Sequence, residues 1–186
     1  MKTCKTTFKK TLQQAAAIFL VTTIVSCETE IPATDDVDPN FSIRIYGNDF
    51  DHTFDQGDDF DNFQLLLRED DEYNFVLTGS DAGGLQRLEM VFQPLFLEFN
   101  ATITSPWQRT NFSTQSDLIS WTGDSSAPLT GTILQGTFIA KGSPTGGTPI
   151  SISARDYGGS SIYQNLSGGT IDTYVREGGQ AAVINH

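Results

Sequence analysis

Apolar and polar residues alternate along much of the chain from Phe41 onward, with a period of two rather than 3.6. This alternation is typical of β-strands that bury one face. Six segments show it, at residues 41–46, 73–78, 88–93, 95–103, 150–155 and 171–176. Glycine-rich turns separate several of these segments. Helical periodicity is limited to one short turn near residues 116–121, so the sequence predicts an all-β protein.

Two of the predicted strands end in the same way. Residues 75–84 and 150–159 both run into Asp-x-Gly-Gly, at Asp81 and Asp156. In such a turn the aspartate caps backbone amides and glycine supplies positive φ. Because loops that follow alternate strands of a sandwich gather at one end, the two aspartates are also candidates to approach each other.

This pair of motifs resembles the strand-and-turn pattern of bacterial immunoglobulin-like domains of extracellular proteins. The resemblance covers about residues 70–176 and implies an antiparallel β-sandwich. It implies one hairpin from Tyr73 to Phe92 and another from Thr148 to Tyr174. Residues 104–131 depart from the pattern, because they read as long and irregular. A fold of this kind does not by itself specify a function.

The first 26 residues have the features of an export signal. Four lysines precede an apolar stretch at residues 15–25, which is too short to span a bilayer. The segment Ile24-Val25-Ser26-Cys27 then resembles the lipobox of bacterial lipoproteins. That resemblance implies cleavage before Cys27, attachment of acyl chains such as palmitate to Cys27, and a location at the outer membrane of a Gram-negative bacterium. The alternative is an ordinary secretory signal that happens to contain a cysteine.

A charged linker follows the cysteine. Residues 28–40 contain five acidic residues, two prolines and no basic residue, which predicts a disordered tether. Glu28-Thr29-Glu30 also resembles, weakly, the surface-export signals of some lipoproteins. The predicted organisation is therefore a signal peptide at 1–26, a lipidated cysteine and flexible linker at 27–40, and an immunoglobulin-like sandwich at 41–186.

Charge and cysteine content narrow the function classes. Removing the four leader lysines from the 11 basic residues leaves 7 against 23 acidic residues, a formal charge of −16. Such a surface repels nucleic-acid phosphates, so no nucleic-acid partner is expected. Cys4 lies in the leader and Cys27 is the predicted anchor, so the domain has no thiol for a disulfide or a cysteine-ligated metal.

The densest acidic stretch lies at residues 48–61 and suggests calcium as a cofactor. Ca²⁺ takes six to eight oxygen ligands from flexible loops. The spacing differs from the EF-hand pattern, and a solvated loop fixed by its phenylalanines is the competing interpretation. The candidate ligands of a weak site are Asp49, Asp51, Asp55, Asp58, Asp59 and Asp61.

Four aromatic residues are candidates for ligand contacts. Exposed rings stack on sugars, while neighbouring amides and carboxylates bond the hydroxyls. Burial in the core is the competing interpretation for the tryptophans. The residues are Trp107, Trp121, Tyr157 and Tyr163.

Catalytic signals are poor. His52 lies in the acidic stretch and His186 is the last residue, while Gly123-Asp124-Ser125 lacks a later Asp-x-x-His. The sequence therefore favours a non-enzymatic binding or spacer module at the cell envelope, with a glycan or a partner protein as ligand. The alternatives are a structural or assembly component of an envelope uptake complex and, less favoured, a small carboxylate-dependent hydrolase.

Overall fold

Alternation of apolar residues determines the strands of the domain. In the computed structural model, residues 35–142, 146–158 and 165–185 are described. Strands such as Asn40–Gly47 and Glu72–Ser80 bury every second side chain and leave the others at the surface. Within the described ranges there are twelve strands: β1 (Asn40–Gly47), β2 (Phe50–Asp55), β3 (Phe63–Arg68), β4 (Glu72–Ser80), β5 (Leu85–Phe92), β6 (Leu97–Phe99), β7 (Trp107–Asn111), β8 (Asp117–Thr122), β9 (Gly131–Ala140), β10 (Ile150–Asp156), β11 (Leu166–Arg176) and β12 (Ala182–Asn185).

The strands form two sheets that make a sandwich. The five-stranded sheet has the order β2-β1-β4-β9-β6, and the seven-stranded sheet has the order β12-β3-β11-β10-β5-β8-β7. Buried aromatic and aliphatic side chains from both sheets form the core between them. The predicted all-β sandwich is confirmed. The pairing is antiparallel in the described ranges except between β3 and β11, which run parallel.

One predicted hairpin is confirmed and the other is wrong. Strands β10 and β11 pair as an antiparallel hairpin, with Ile150 opposite Ile171. The strands within Tyr73–Phe92 do not pair, because β4 belongs to the five-stranded sheet and β5 to the seven-stranded one. The turn at Asp81 therefore carries the chain from one sheet to the other. Alternation shows which face of a strand is buried but not which strand lies beside it.

Three other local predictions are corrected. Residues 117–122 form strand β8 instead of a helical turn, and the stretch at 104–131 contains both β7 and β8. The predicted strand at 95–103 is short, since only Leu97–Phe99 pairs with a neighbour. Tertiary pairing overrides weak local preference in each case.

The N-terminal part of the chain lies mostly outside the described residues. The predicted signal peptide, Cys27 and residues 28–34 belong to it. Residues 35–39, which the sequence assigns to the flexible linker, are bonded to the domain: the Ser167 hydroxyl donates to the Pro39 carbonyl. Across the described part of the chain, no helix has the length and apolar character needed to cross a membrane.

Candidate functional site

The two Asp-x-Gly turns lie at the ends of β4 and β10. The Gly83 amide donates to Oδ2 of Asp81 at 2.7 Å, and the Gly158 amide donates to Oδ1 of Asp156 at 2.9 Å. Both aspartates therefore cap their turns, as the sequence predicts. The Tyr157 amide also donates to the Gly84 carbonyl at 3.1 Å. This bond holds the two turns side by side, although they belong to different sheets.

A third aspartate completes the cluster. One carboxylate oxygen from each of Asp35, Asp81 and Asp156 lies within 4.8 Å of the others. Asp81 is 6% exposed and Asp156 is fully buried. In residues 35–142, 146–158 and 165–185 no lysine or arginine forms an ion pair with any of the three; the ion pairs there involve other carboxylates.

Asn165 fixes the geometry of the cluster. Its Nδ2 atom donates to Oδ2 of Asp156 at 3.0 Å and to the carbonyl of Asp35 at 2.6 Å. It also lies 3.2 Å from the carbonyl of Val37. A single side chain directly before β11 thus holds both the chain before β1 and the buried carboxylate of the β10 turn.

The electrostatics of the cluster are unfavourable without a cation. Burial raises the pKa of Asp81 above its ordinary value of 3.8, and the negative charge of Asp35 raises it further. Burial likewise raises the pKa of Asp156, and the charges of Asp81 and Asp35 act in the same direction. Protons or a bound cation would relieve this repulsion. The ligand set consists of carboxylate oxygens alone, which suits a hard cation such as Ca²⁺.

No protein-family model and no curated protein matches this chain. Solved structures share a distant similarity with it. One is the cohesin module of a Clostridium perfringens family 33 glycoside hydrolase, with a TM-score of 0.36 and 8% identity over 62% of this chain and 97% of that one. Another is a non-cellulosomal cohesin from the hyperthermophilic archaeon Archaeoglobus fulgidus, with a TM-score of 0.30 and 7% identity over 67% of this chain and 90% of that one. Similarity of this size does not extend to a function.

The six aspartates predicted as calcium ligands are spread along β2 and the turns beside it. Asp51 pairs with Arg44, and Oδ1 of Asp55 accepts the Gly57 amide at 2.9 Å. Asp58 accepts a hydrogen bond from the Asp55 amide, and Asp59 accepts one from the Asn62 side chain. Asp49 occupies a left-handed turn position with φ 63°, and Asp61 lies in the 3-10 helix Phe60–Asn62. The converging group of three carboxylates in the described chain contains none of the six, and calcium at these positions stays a prediction.

The aromatic candidates are mostly buried. Trp107 is 8% and Trp121 is 2% exposed, and they lie opposite each other on β7 and β8. The expectation that these two rings form an exposed stacking surface is wrong, because both complete the core under the edge of the seven-stranded sheet. Tyr157 is half-buried beside the aspartate cluster. Tyr163 lies outside the described residues.

Sequence reasoning identified Asp81 and Asp156 but missed Asp35. The repeated Asp-x-Gly-Gly pattern was the signal for the first two. Asp35 is one of several acidic residues in a stretch that reads as a solvated linker. Only the course of the chain, from Asp35 through the buried Pro39 into β1, brings it to the turns of β4 and β10.

The raised pKa values lead to a prediction for the metal-free protein. We expect Asp81→Asn to raise the free energy of unfolding at pH 7 by on the order of 1 kcal/mol in the presence of chelator. The amide oxygen can still accept the Gly83 amide, while one buried negative charge is removed. A carboxyl group whose pKa is raised by folding destabilises the fold as the pH rises through its pKa values. The advantage of the variant should therefore shrink as the pH falls toward 3.8.

Urea unfolding of both proteins across this pH range, with chelator present, measures that difference. A constant difference in unfolding free energy at every pH would contradict the assigned electrostatics. A variant less stable than the parent at pH 7 would contradict them as well.

Proposed function

We propose that this chain is a cell-envelope lipoprotein, anchored through acyl chains on Cys27, which carries a non-enzymatic β-sandwich binding module. We further propose that Ca²⁺, bound by Asp35, Asp81 and Asp156, fixes the linker to the sandwich at Asp35. The proposed calcium site rests on one observation. Three carboxylates converge, two of them are buried, and none forms an ion pair with a basic residue in the described chain.

Because of the position of Asp35, calcium at this site sets the distance between the sandwich and the membrane. Only residues 28–34 separate it from Cys27. Fully extended, such a segment spans about 25 Å. With Asp35 fixed by the cation and by Asn165, the end of the sandwich that carries the cluster is held close to the lipid surface. Without the cation, more of the linker is free and the domain stands farther out.

Side-chain placement supports a binding role over a hydrolytic one. The ring of His52 packs against Phe54 at 4.5 Å between centroids. The buried aspartates Asp81 and Asp156 are engaged by backbone amides, which hold them as fixed oxygen donors. The expected location is the outer membrane of a Gram-negative bacterium.

Lipid labelling tests the anchor. The full chain, produced in a Gram-negative bacterium fed a palmitate analogue, should be labelled and should remain with the membranes. Each buried CH₂ of an acyl chain contributes about 0.8 kcal/mol, so two or more chains hold a protein stably on a membrane. Cys27→Ser should lose the label and move to the soluble fraction. Cys4→Ser is the matched control and should behave as the parent does.

Retention of Cys27→Ser in the membrane fraction would refute the anchor. So would an unlabelled parent protein.

A further inference from the structure

A polar groove crosses the outer face of the five-stranded sheet. Tyr46, Asn74 and Thr137 stand in register across β1, β4 and β9, and all three line it. The segment that follows β6 forms its other wall through Asn100, Thr102 and Thr104. The groove has a volume of ≈ 700 Å³. Ligand pockets in proteins commonly measure about 300–1,000 Å³.

The wall of the groove is fixed to the sheet. The Asn100 amide donates to the Thr137 carbonyl at 2.7 Å, and the Trp107 amide closes a turn onto the Thr104 carbonyl at 2.9 Å. Gly136 permits the close approach, because a Cβ atom there would lie 2.7 Å from Cβ of Ala101. The lining residues are therefore held in position before any ligand arrives, which reduces the entropy lost on binding.

The chemistry of the lining selects an uncharged ligand. None of its twelve residues is charged, although the chain has 11 basic and 23 acidic residues. Side-chain amides and hydroxyls dominate, and Ile133, which is 60% exposed, provides an apolar surface beside them. At the rim, Arg44 lies over the Tyr46 ring at 4.7 Å and is paired with Asp51.

These features match a neutral oligosaccharide. Sugar hydroxyls need many uncharged donors and acceptors, and the C–H faces of sugar rings need apolar contact. A cationic peptide would find no carboxylate in the groove to pair with, and an acidic polymer would be repelled by the net charge of −12. We propose that this groove binds a neutral glycan chain. The proposal rests on the proposed function as a binding module and names its ligand class.

Calorimetric titration of the domain from residue 28 onward, with calcium present, tests the proposal. The probes are linear hexasaccharides of glucose, xylose and mannose, with hexagalacturonate as the acidic comparison. We expect at least one neutral probe to bind with a Kd between micromolar and millimolar and the acidic probe not to bind. The double variant Gln135→Ala, Thr137→Val should weaken that binding about tenfold, since two neutral hydrogen bonds are lost.

The chain provides a matched control. Gln108 and Thr110 have the same spacing on β7, both are exposed, and they belong to the other sheet. Gln108→Ala, Thr110→Val should bind as the parent does, and equal melting temperatures would show that both variants are folded.

The proposal is overturned if no neutral probe binds, if hexagalacturonate binds equally well, or if the two double variants bind alike. These outcomes are separate from failure of the anchor. A chain that is labelled at Cys27 but binds no sugar keeps the proposed envelope location and loses only the glycan groove. A sugar-binding chain without label does the reverse.

Discussion

Calcium at a hundred times its Kd is expected to raise the melting temperature of the domain by about 5–10 °C. At this concentration, binding by mass action raises the free energy of unfolding by about 2.7 kcal/mol. In a chain of this size, each kcal/mol raises the melting temperature by about 2–4 °C. Calcium binds the folded state in preference to the unfolded one because the cation neutralises repulsion among Asp35, Asp81 and Asp156, which only folding brings together. Differential scanning calorimetry with calcium and with chelator measures it.

Two asparagine variants locate the site. Asp81→Asn should abolish the calcium-dependent shift. Asp55→Asn should keep it, and this is a matched control, because Asp55 also caps an Asp-x-Gly turn through the Gly57 amide. The reverse result, with the shift lost only in Asp55→Asn, would move the site to the acidic stretch at residues 49–61. A shift of equal size in both variants would contradict a carboxylate site at either place.

Phe138→Ala is expected to lower the free energy of unfolding by about 3–5 kcal/mol. Phe138 is fully buried on β9, and its ring centroid lies 5.0 Å from that of Phe99 and 5.7 Å from that of Tyr73. The substitution loses the free energy gained by burying the ring. It also leaves a cavity that the neighbouring rings cannot fill. Urea unfolding monitored by tryptophan fluorescence measures the loss.

Phe112→Ala is the control for this prediction. Phe112 is 64% exposed, so the same substitution there should change the unfolding free energy by no more than about 0.5 kcal/mol. Similar losses at Phe112 and Phe138 would contradict the assigned core.

The sequence predicted the fold class because most strands leave one face at the surface. Alternation therefore marked β1, β4, β5, β10 and β11 directly. Strand β7 was not predicted, because Trp107 is followed by four exposed polar or charged residues and no alternation is visible. The pairing of the strands was not predicted correctly either, since the pattern within Tyr73–Phe92 fits a hairpin as well as a crossing between sheets.

The candidate site was predictable only in part, for a related reason. Asp81 and Asp156 share a local motif whose turn chemistry can be read from neighbouring residues. Asp35 joins them through contacts made at long range, chiefly the bonds of Asn165 to the Asp35 carbonyl and the Asp156 carboxylate. The burial of Trp107 and Trp121 is likewise a property of the packed sheets and has no local signature.

The most direct measurement is a crystal structure of the domain grown with calcium, with anomalous scattering used to locate the ion. We expect one calcium peak enclosed by carboxylate oxygens of Asp35, Asp81 and Asp156, at about 2.3–2.6 Å. A structure in which these three carboxylates surround no ion, while calcium is bound elsewhere or not at all, would contradict this expectation.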